Sequence, residues 1–179
     1  MRRLGLFALV LAIVSGTVLG AVPAPRTIAR QDPAPVTIQE VGLAQAQAAL
    51  AAAVAAAQAR DLEMVVAVVD TGANLKAFVR MDGAPLVSVD VAIAKARTAV
   101  LVQAPSGALG PLVQPGQPLY GLEVTNGGLV TFPGGIPLFG ADGAVIGAIG
   151  VSGGSVEEDQ AVAEAGAAVL GGPNATPTP

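Results

Sequence analysis

PGGIPLFGADGAVIGAIGVSGGSVEEDQ, residues 133–160, sets out a strand, a turn, a second strand, a glycine-rich bend and a helix start in a single run. Residues 144–151 are small and apolar enough for a buried strand, and Gly147 and Gly150 inside it leave room for another backbone to approach closely. Ala141-Asp142-Gly143 has the composition of a turn and joins this strand to another at residues 136–139. Gly153 and Gly154 then break the strand at backbone angles that residues with a Cβ resist. Ser155 and Glu158 follow at the S-x-x-E spacing of a capping box, in which each side chain satisfies an unpaired N–H at a helix start. Such a corner is a mould for a small ligand or a neighbouring subunit.

Working outward, residues 128–132 predict one more strand, and the last helix, residues 155–170, buries Val156, Ala161, Val162, Ala165 and Val169 before stopping at Gly171-Gly172-Pro173. Upstream, Thr37 and Glu40 form a second capping box that opens an alanine-rich helix to about Arg60, with Leu43, Leu50, Val54 and Ala57 along one side. Residues 64–70 and 75–81 read as a hairpin around a turn at 71–74. Asp82-Gly83 turns the chain again, and Ser88 caps a helix with Val89, Ile93, Ala96 and Val100 on one face. Pro105, Pro111, Pro115 and Pro118 keep residues 104–123 irregular, with at most one short helical turn. Helix, two strands, helix, three strands, helix predicts an α+β fold: a mostly antiparallel five-stranded sheet flanked by helices.

The ends of the 179-residue chain differ from this body. Arg2 and Arg3 precede an uncharged apolar run, residues 4–19, that closes on the small residues Gly20 and Ala21; residues 1–21 read as a cleaved secretory signal, the alternative being an N-terminal membrane anchor. No cysteine follows the run, so a lipoprotein anchor is excluded. Pro23, Pro25, Pro33 and Pro35 make residues 22–35 an extended linker, residues 36–172 form the domain, and residues 173–179 are a disordered tail carrying the glycosylation-type triplet at Asn174. Loss of Arg2 and Arg3 with the leader lowers Lys plus Arg from 9 to 7 against 13 Asp plus Glu, a net charge of −6 that disfavours nucleic acid and anionic membranes. The composition is 53% hydrophobic and only 12% charged, more apolar surface than one small domain easily hides, so a homo-oligomer is expected.

Missing residues constrain the chemistry. With no histidine and no cysteine, a serine–histidine triad, a thiol nucleophile, a conventional zinc site and imidazole-ligated haem are excluded. No conventional catalytic constellation remains, which favours a binding protein over an enzyme.

Six strings, VAVVDTG (66–72), RMDGA (80–84), KARTA (95–99), NGG (126–128), GGIP (134–137) and IGAIGVSGG (146–154), stand in an order that resembles the GlcG/HbpS-like family. Its members are haem-degrading or haem-binding domains, found also at the C-terminus of PduO-type proteins. The resemblance implies a profilin-like α/β sandwich and binding of haem or a comparable planar, carboxylate-bearing molecule. Arg80, Lys95 and Arg97 lie in two of these strings and could hold ligand carboxylates or form structural ion pairs, Arg80 with Asp82 or Asp90 for example. Tyr120, the only tyrosine, could ligate haem iron through its phenolate or simply pack under its loop. Gly153 and Gly154 could line a ligand site at the helix start, although Glu157, Glu158 and Asp159 already fill its first turn with negative charge. Those three carboxylates are the best candidates for a weak iron site, or are simply good capping. A structural or sensory homo-oligomer without ligand chemistry is the alternative function, and an enzyme acting on a small organic acid is a third reading.

Overall fold

The computed structural model describes residues 34–171. Residues 1–21, expected to be an export signal, most of the proline-rich linker and the tail with Asn174 lie outside the described residues. The folded body runs α1 (Leu43–Gln58), β1 (Val65–Asp70), β2 (Leu75–Arg80), α2 (Val87–Val102), β3 (Gly135–Phe139), β4 (Val145–Ser152) and α3 (Val156–Ala168). Two short 3-10 turns, Ser106–Leu112 and Leu122–Val124, interrupt the segment between α2 and β3.

β1 is buried along nearly its whole length because it is central: the sheet order is β2-β1-β4-β3, and every pairing is antiparallel. The β1–β2 hairpin forms as expected, its turn held by Asp70, whose Oδ1 accepts from Gly72 N and Asn74 N at 2.9 Å each. Valines 66 and 68 face α1 and α3, with Ile149 and Val151 of β4 completing that layer. Val65, Ala67 and Val69 face the opposite way, toward α2. The helices therefore cover the sheet on both sides, α1 and α3 together on one face and α2 alone on the other.

Gly150 explains how close α2 comes. A Cβ there would run into Ala92 O and Ala96 N, so the strand accepts the helix backbone directly, as its composition suggested. At the C-terminal end of β4 the capping box forms: Ser155 N donates to Glu158 Oε2 at 2.8 Å and Glu158 N to Ser155 Oγ at 3.3 Å.

Several expectations are corrected. The sheet has four strands among the described residues, because residues 128–132 bond to side chains and turns instead of to a neighbouring strand. α1 begins at Leu43 with Gly42 as its cap, Gly42 N donating to Gln45 Oε1 at 2.9 Å, so Thr37 and Glu40 form no capping box. Residues 37–41 are instead drawn to the sheet: Val41 is fully buried, its N–H donates to Ile146 O at 2.6 Å, and Glu40 pairs with Lys76. Alanines 46, 49, 53 and 57 form the inward stripe of α1, while Leu43 is exposed. Ser88 lies inside α2 and is buried, so it caps nothing. In α3 the buried stripe is Asp159, Val162, Ala163, Gly166 and Ala167, leaving Val156 and Val169 facing outward.

Candidate functional site

Helix α2 carries polar residues on its inward face. Lys95 and Thr98 are fully buried, as is Ser106 just beyond the helix. A buried ammonium is tolerable only with partners, and Lys95 has them. Its Nζ donates to Asp159 Oδ2 at 2.5 Å and to Val151 O at 3.0 Å, and lies 4.9 Å from the centre of the Phe132 ring. The pair joins α2 on one face of the sheet to the first turn of α3 on the other. Burial pushes the ammonium below the usual lysine value of 10.5, and the hydrogen bond and charge of Asp159 pull it partway back.

The GGIP string serves this ion pair. Gly134 has φ +117°, and a Cβ on it would sit 2.7 Å from Lys95 Nζ and 2.8 Å from Val151 O. The two glycines are the window through which the lysine reaches Asp159. Gly134 N donates to Gln160 Oε1 at 3.0 Å, and Gly135 N to Ser106 Oγ at 3.0 Å.

Leading into the window, the irregular segment 127–134 runs over α2. Val130 N donates to Thr98 Oγ1 at 2.9 Å, and Ser106 Oγ donates to Phe132 O at 2.7 Å. At the beginning of the segment a cleft of about 250 Å3 opens between it and α2, lined by Asp90, Ile93, Ala94 and Arg97 from the helix and by Gly127 and Gly128 from the turn. Both glycines have positive φ, 77° and 97°, and carry no side chain into the opening. Arg97 is exposed, and the ion pairs among the described residues are Lys76–Glu40 and Lys95–Asp159, so its guanidinium is uncommitted. One wall offers aliphatic carbon, another bare backbone, and the rim one cation beside one carboxylate.

The other expected site residues scatter. Lys95 is fully buried and paired with Asp159, away from the surface. Arg80 is exposed at the end of β2 and pairs with neither Asp82 nor Asp90. Tyr120 is 65% exposed on the loop, not packed beneath it. Gly154 N donates to Asp159 Oδ1 at 3.0 Å, and a Cβ on Gly153 would strike Glu63 O and Met64 Cα, so this corner serves packing. Gly153 also borders an open hollow of about 490 Å3 with Asp61, Leu62, Glu63, Gly83 and Pro85. The proposed iron cluster does not assemble: Glu158 caps α3, Asp159 points inward to Lys95, Glu157 is exposed, and the described residues hold no group of three such side chains placed to bind a metal.

Asp90, Ile93, Ala94, Thr98 and Ser106 are the residues that sequence reasoning missed. Thr98 lies in KARTA, which the fold brings beside NGG across one cleft; Asp90, Ile93, Ala94 and Ser106 stand outside both strings and carried no such signal.

Comparison with known proteins agrees with this architecture. A solved structure of protein ORFY from Klebsiella pneumoniae is 38% identical, with a TM-score of 0.73 over 76% of this chain and 94% of its own. The haem complex of PduOC is 39% identical, with a TM-score of 0.70 over 74% of this chain and 96% of its own. A double mutant of HbpS from Streptomyces reticuli is 36% identical, with a TM-score of 0.71 over 84% of this chain and all of its own. Among curated relatives, the corrinoid adenosyltransferase PduO of Salmonella typhimurium is 43% identical over 115 residues, 64% of this chain but only 34% of PduO, so the likeness spans about a third of that enzyme. The model for the haem-degrading protein HbpS-like family matches residues 41–168, the whole sheet and all three helices, and the chain belongs to that family.

Proposed function

We propose that this protein binds haem, or a similar planar molecule bearing carboxylates, at the cleft between α2 and the Asn126-Gly127-Gly128 turn. The observation that carries the reading is the uncommitted Arg97 at the rim of a groove otherwise made of aliphatic side chain and glycine backbone. A guanidinium engages a carboxylate through two parallel hydrogen bonds, and Ile93, Ala94 and the flat glycine backbone suit the face or edge of a ring system. The haem complex of PduOC, 39% identical, supports the ligand class.

The residues present fit the propionate-bearing edge of haem. At about 250 Å3 the cleft is smaller than the usual pocket for a drug-sized ligand, so the rest of the macrocycle would lie along α2 or under a second copy. The chain has no imidazole or thiolate to offer the iron; Asp90 is the carboxylate at the cleft and Tyr120 the one phenol. Bound haem would supply redox chemistry at its iron, whereas Arg97 orients the propionates and the aliphatic wall keeps water from the ring.

Titration of the purified protein with hemin tests this. A saturable shift of the Soret band is expected, with affinity falling roughly tenfold or more in Arg97→Ala, the scale of losing a charge-assisted hydrogen bond. Tyr120→Phe reports separately on phenolate ligation through the ligand-field bands. A featureless, non-saturating titration would remove the haem reading.

Export of a homo-oligomer completes the proposal. Arg2-Arg3 and the uncharged run that follows support export. Leu86 at 73%, Val87 at 72% and Val124 at 82% exposure support self-association, and a monomer by light scattering at high concentration would count against it.

A further inference from the structure

Lys95 and Thr98 of α2 and Ser106 just beyond it have a shared job. Thr98 accepts from Val130 N at 2.9 Å, Ser106 donates to Phe132 O at 2.7 Å and accepts from Gly135 N at 3.0 Å, and Lys95 underlies Phe132 and Gly134 on its way to Asp159. Three fully buried polar residues thus meet a single segment, residues 127–134 and its junction with β3 at Gly135, whose backbone joins the sheet only at its end, where Val151 N donates to Gly134 O at 2.8 Å. Backbone N–H and C=O groups lying over an apolar layer need partners, and here side chains supply them where a ladder would in a sheet. The segment is a strap fastened at three points.

We propose that Thr98 is a positioning residue for the ligand cleft, fixing the strap so that Gly127 and Gly128 stand at a set distance from Ile93 and Arg97. The proposal rests on the cleft being the ligand site. Thr98 lies one residue after Arg97 on α2: Arg97 points outward to the rim while Thr98 points inward to the strap, so one turn of helix carries both the cation and the ruler that sets its opposing wall. The link from Val130 to the glycines is short. Leu129 N donates to Glu123 O at 2.9 Å and Gly128 N to Thr125 O at 2.9 Å, so the turn is a hydrogen-bonded unit that moves with Val130. The positive φ at Asn126, Gly127 and Gly128 lets the chain reverse there without a side chain filling the opening. A methyl in place of the hydroxyl would leave the partly buried Val130 N–H without its acceptor and release the strap at the fastening nearest the cleft.

Native-state amide exchange on Thr98→Val and Thr98→Ser separates this role from plain stability. In Thr98→Val the amides of Val130, Gly128 and Leu129 should exchange at least tenfold faster, while those of β1 and α1 keep their protection, and hemin affinity should fall severalfold. Thr98→Ser, which keeps the acceptor, should restore both. Unchanged exchange at Val130 overturns the fastening. Faster exchange at Val130 alone, with Gly128 and Leu129 unmoved, overturns the positioning of the wall, and so does wild-type hemin affinity in a variant whose strap is loose. Failure of the unsubstituted protein to take up hemin would sink the ligand reading instead, and the exchange pattern would still decide whether Thr98 sets the wall. Should Thr98→Val not fold, Thr98→Ala removes the same acceptor from Val130 N, and the same amides and hemin affinity decide the proposal in the same way.

Discussion

The two faces of the sheet are built on different principles. Between the sheet and the α1–α3 pair lies a continuous aliphatic layer, Val66, Val68, Ile149, Val151 and Val162 meshed with the alanine stripe of α1, with Asp159 in the first turn of α3 as the buried charged side chain at its edge. Under α2 the apolar contacts break into two smaller clusters, and Ser88, Lys95 and Thr98 are buried among them. Apolar burial is non-directional and stabilises without specifying fine position, whereas buried hydrogen bonds and ion pairs demand particular geometry. The dry face holds the fold together; the polar face holds a strap and a cleft in place.

Cutting the ion pair should break this contrast most severely. Lys95→Met leaves Asp159 as an unpaired charge in the interior, a change worth about 3–5 kcal/mol, while Lys95→Met with Asp159→Leu should recover most of that loss because neither charge is left buried. Urea denaturation midpoints compare the three proteins, and a double variant no more stable than the single one would mean that the pair contributes more than mutual compensation.

On the opposite face, Ile149→Ala should cost about 2–4 kcal/mol through lost burial and the cavity it leaves. Hemin affinity measured on the folded protein should not change. If affinity fell alongside stability, the separation of the two faces would be wrong.

The smallest effect sharpens the comparison through pH. Since burial sets the folded Lys95 below 10.5, the unfolded chain holds more protons than the folded one as pH climbs through the interval up to that value, and stability rises with pH there. The groups facing the ammonium are Asp159 from α3, Val151 O from β4 and the Phe132 ring from the strap. Wild type should therefore gain on the Lys95→Met/Asp159→Leu protein between neutral pH and about 10.5. A gap that stayed flat or closed would contradict the burial penalty.

Elements whose residues carry local signals were legible in the sequence. The Asp70 turn, the β3–β4 hairpin, the close approach at Gly150 and the Ser155–Glu158 cap all sit where composition placed them, because turn chemistry and capping act over a few residues. Long-range partners were not legible. Residues 128–132 have strand composition, yet Thr98 and Ser106 claim their backbone groups before any strand can. The spacing from Thr37 to Glu40 suits a helix start, yet Val41 is pulled onto Ile146 and delays α1 by several residues. Apolar periodicity put Val156 and Val169 inside α3, but Asp159 must face Lys95, and the helix is rotated to suit. Lys95 was visible as a cation in a family-like string; that it is spent on Asp159, while Arg97 two residues on stays exposed and unpaired, depends on contacts 64 residues apart.

Mapping amide chemical shifts while adding zinc protoporphyrin to the labelled protein tests the central claim most directly, since that probe keeps the propionates and ring of haem without a paramagnetic iron. The account predicts saturable shifts concentrated at Ile93, Ala94, Arg97, Gly127 and Gly128, weakened in Arg97→Ala. Shifts confined to α1 and α3, or spread evenly over the surface, would contradict it.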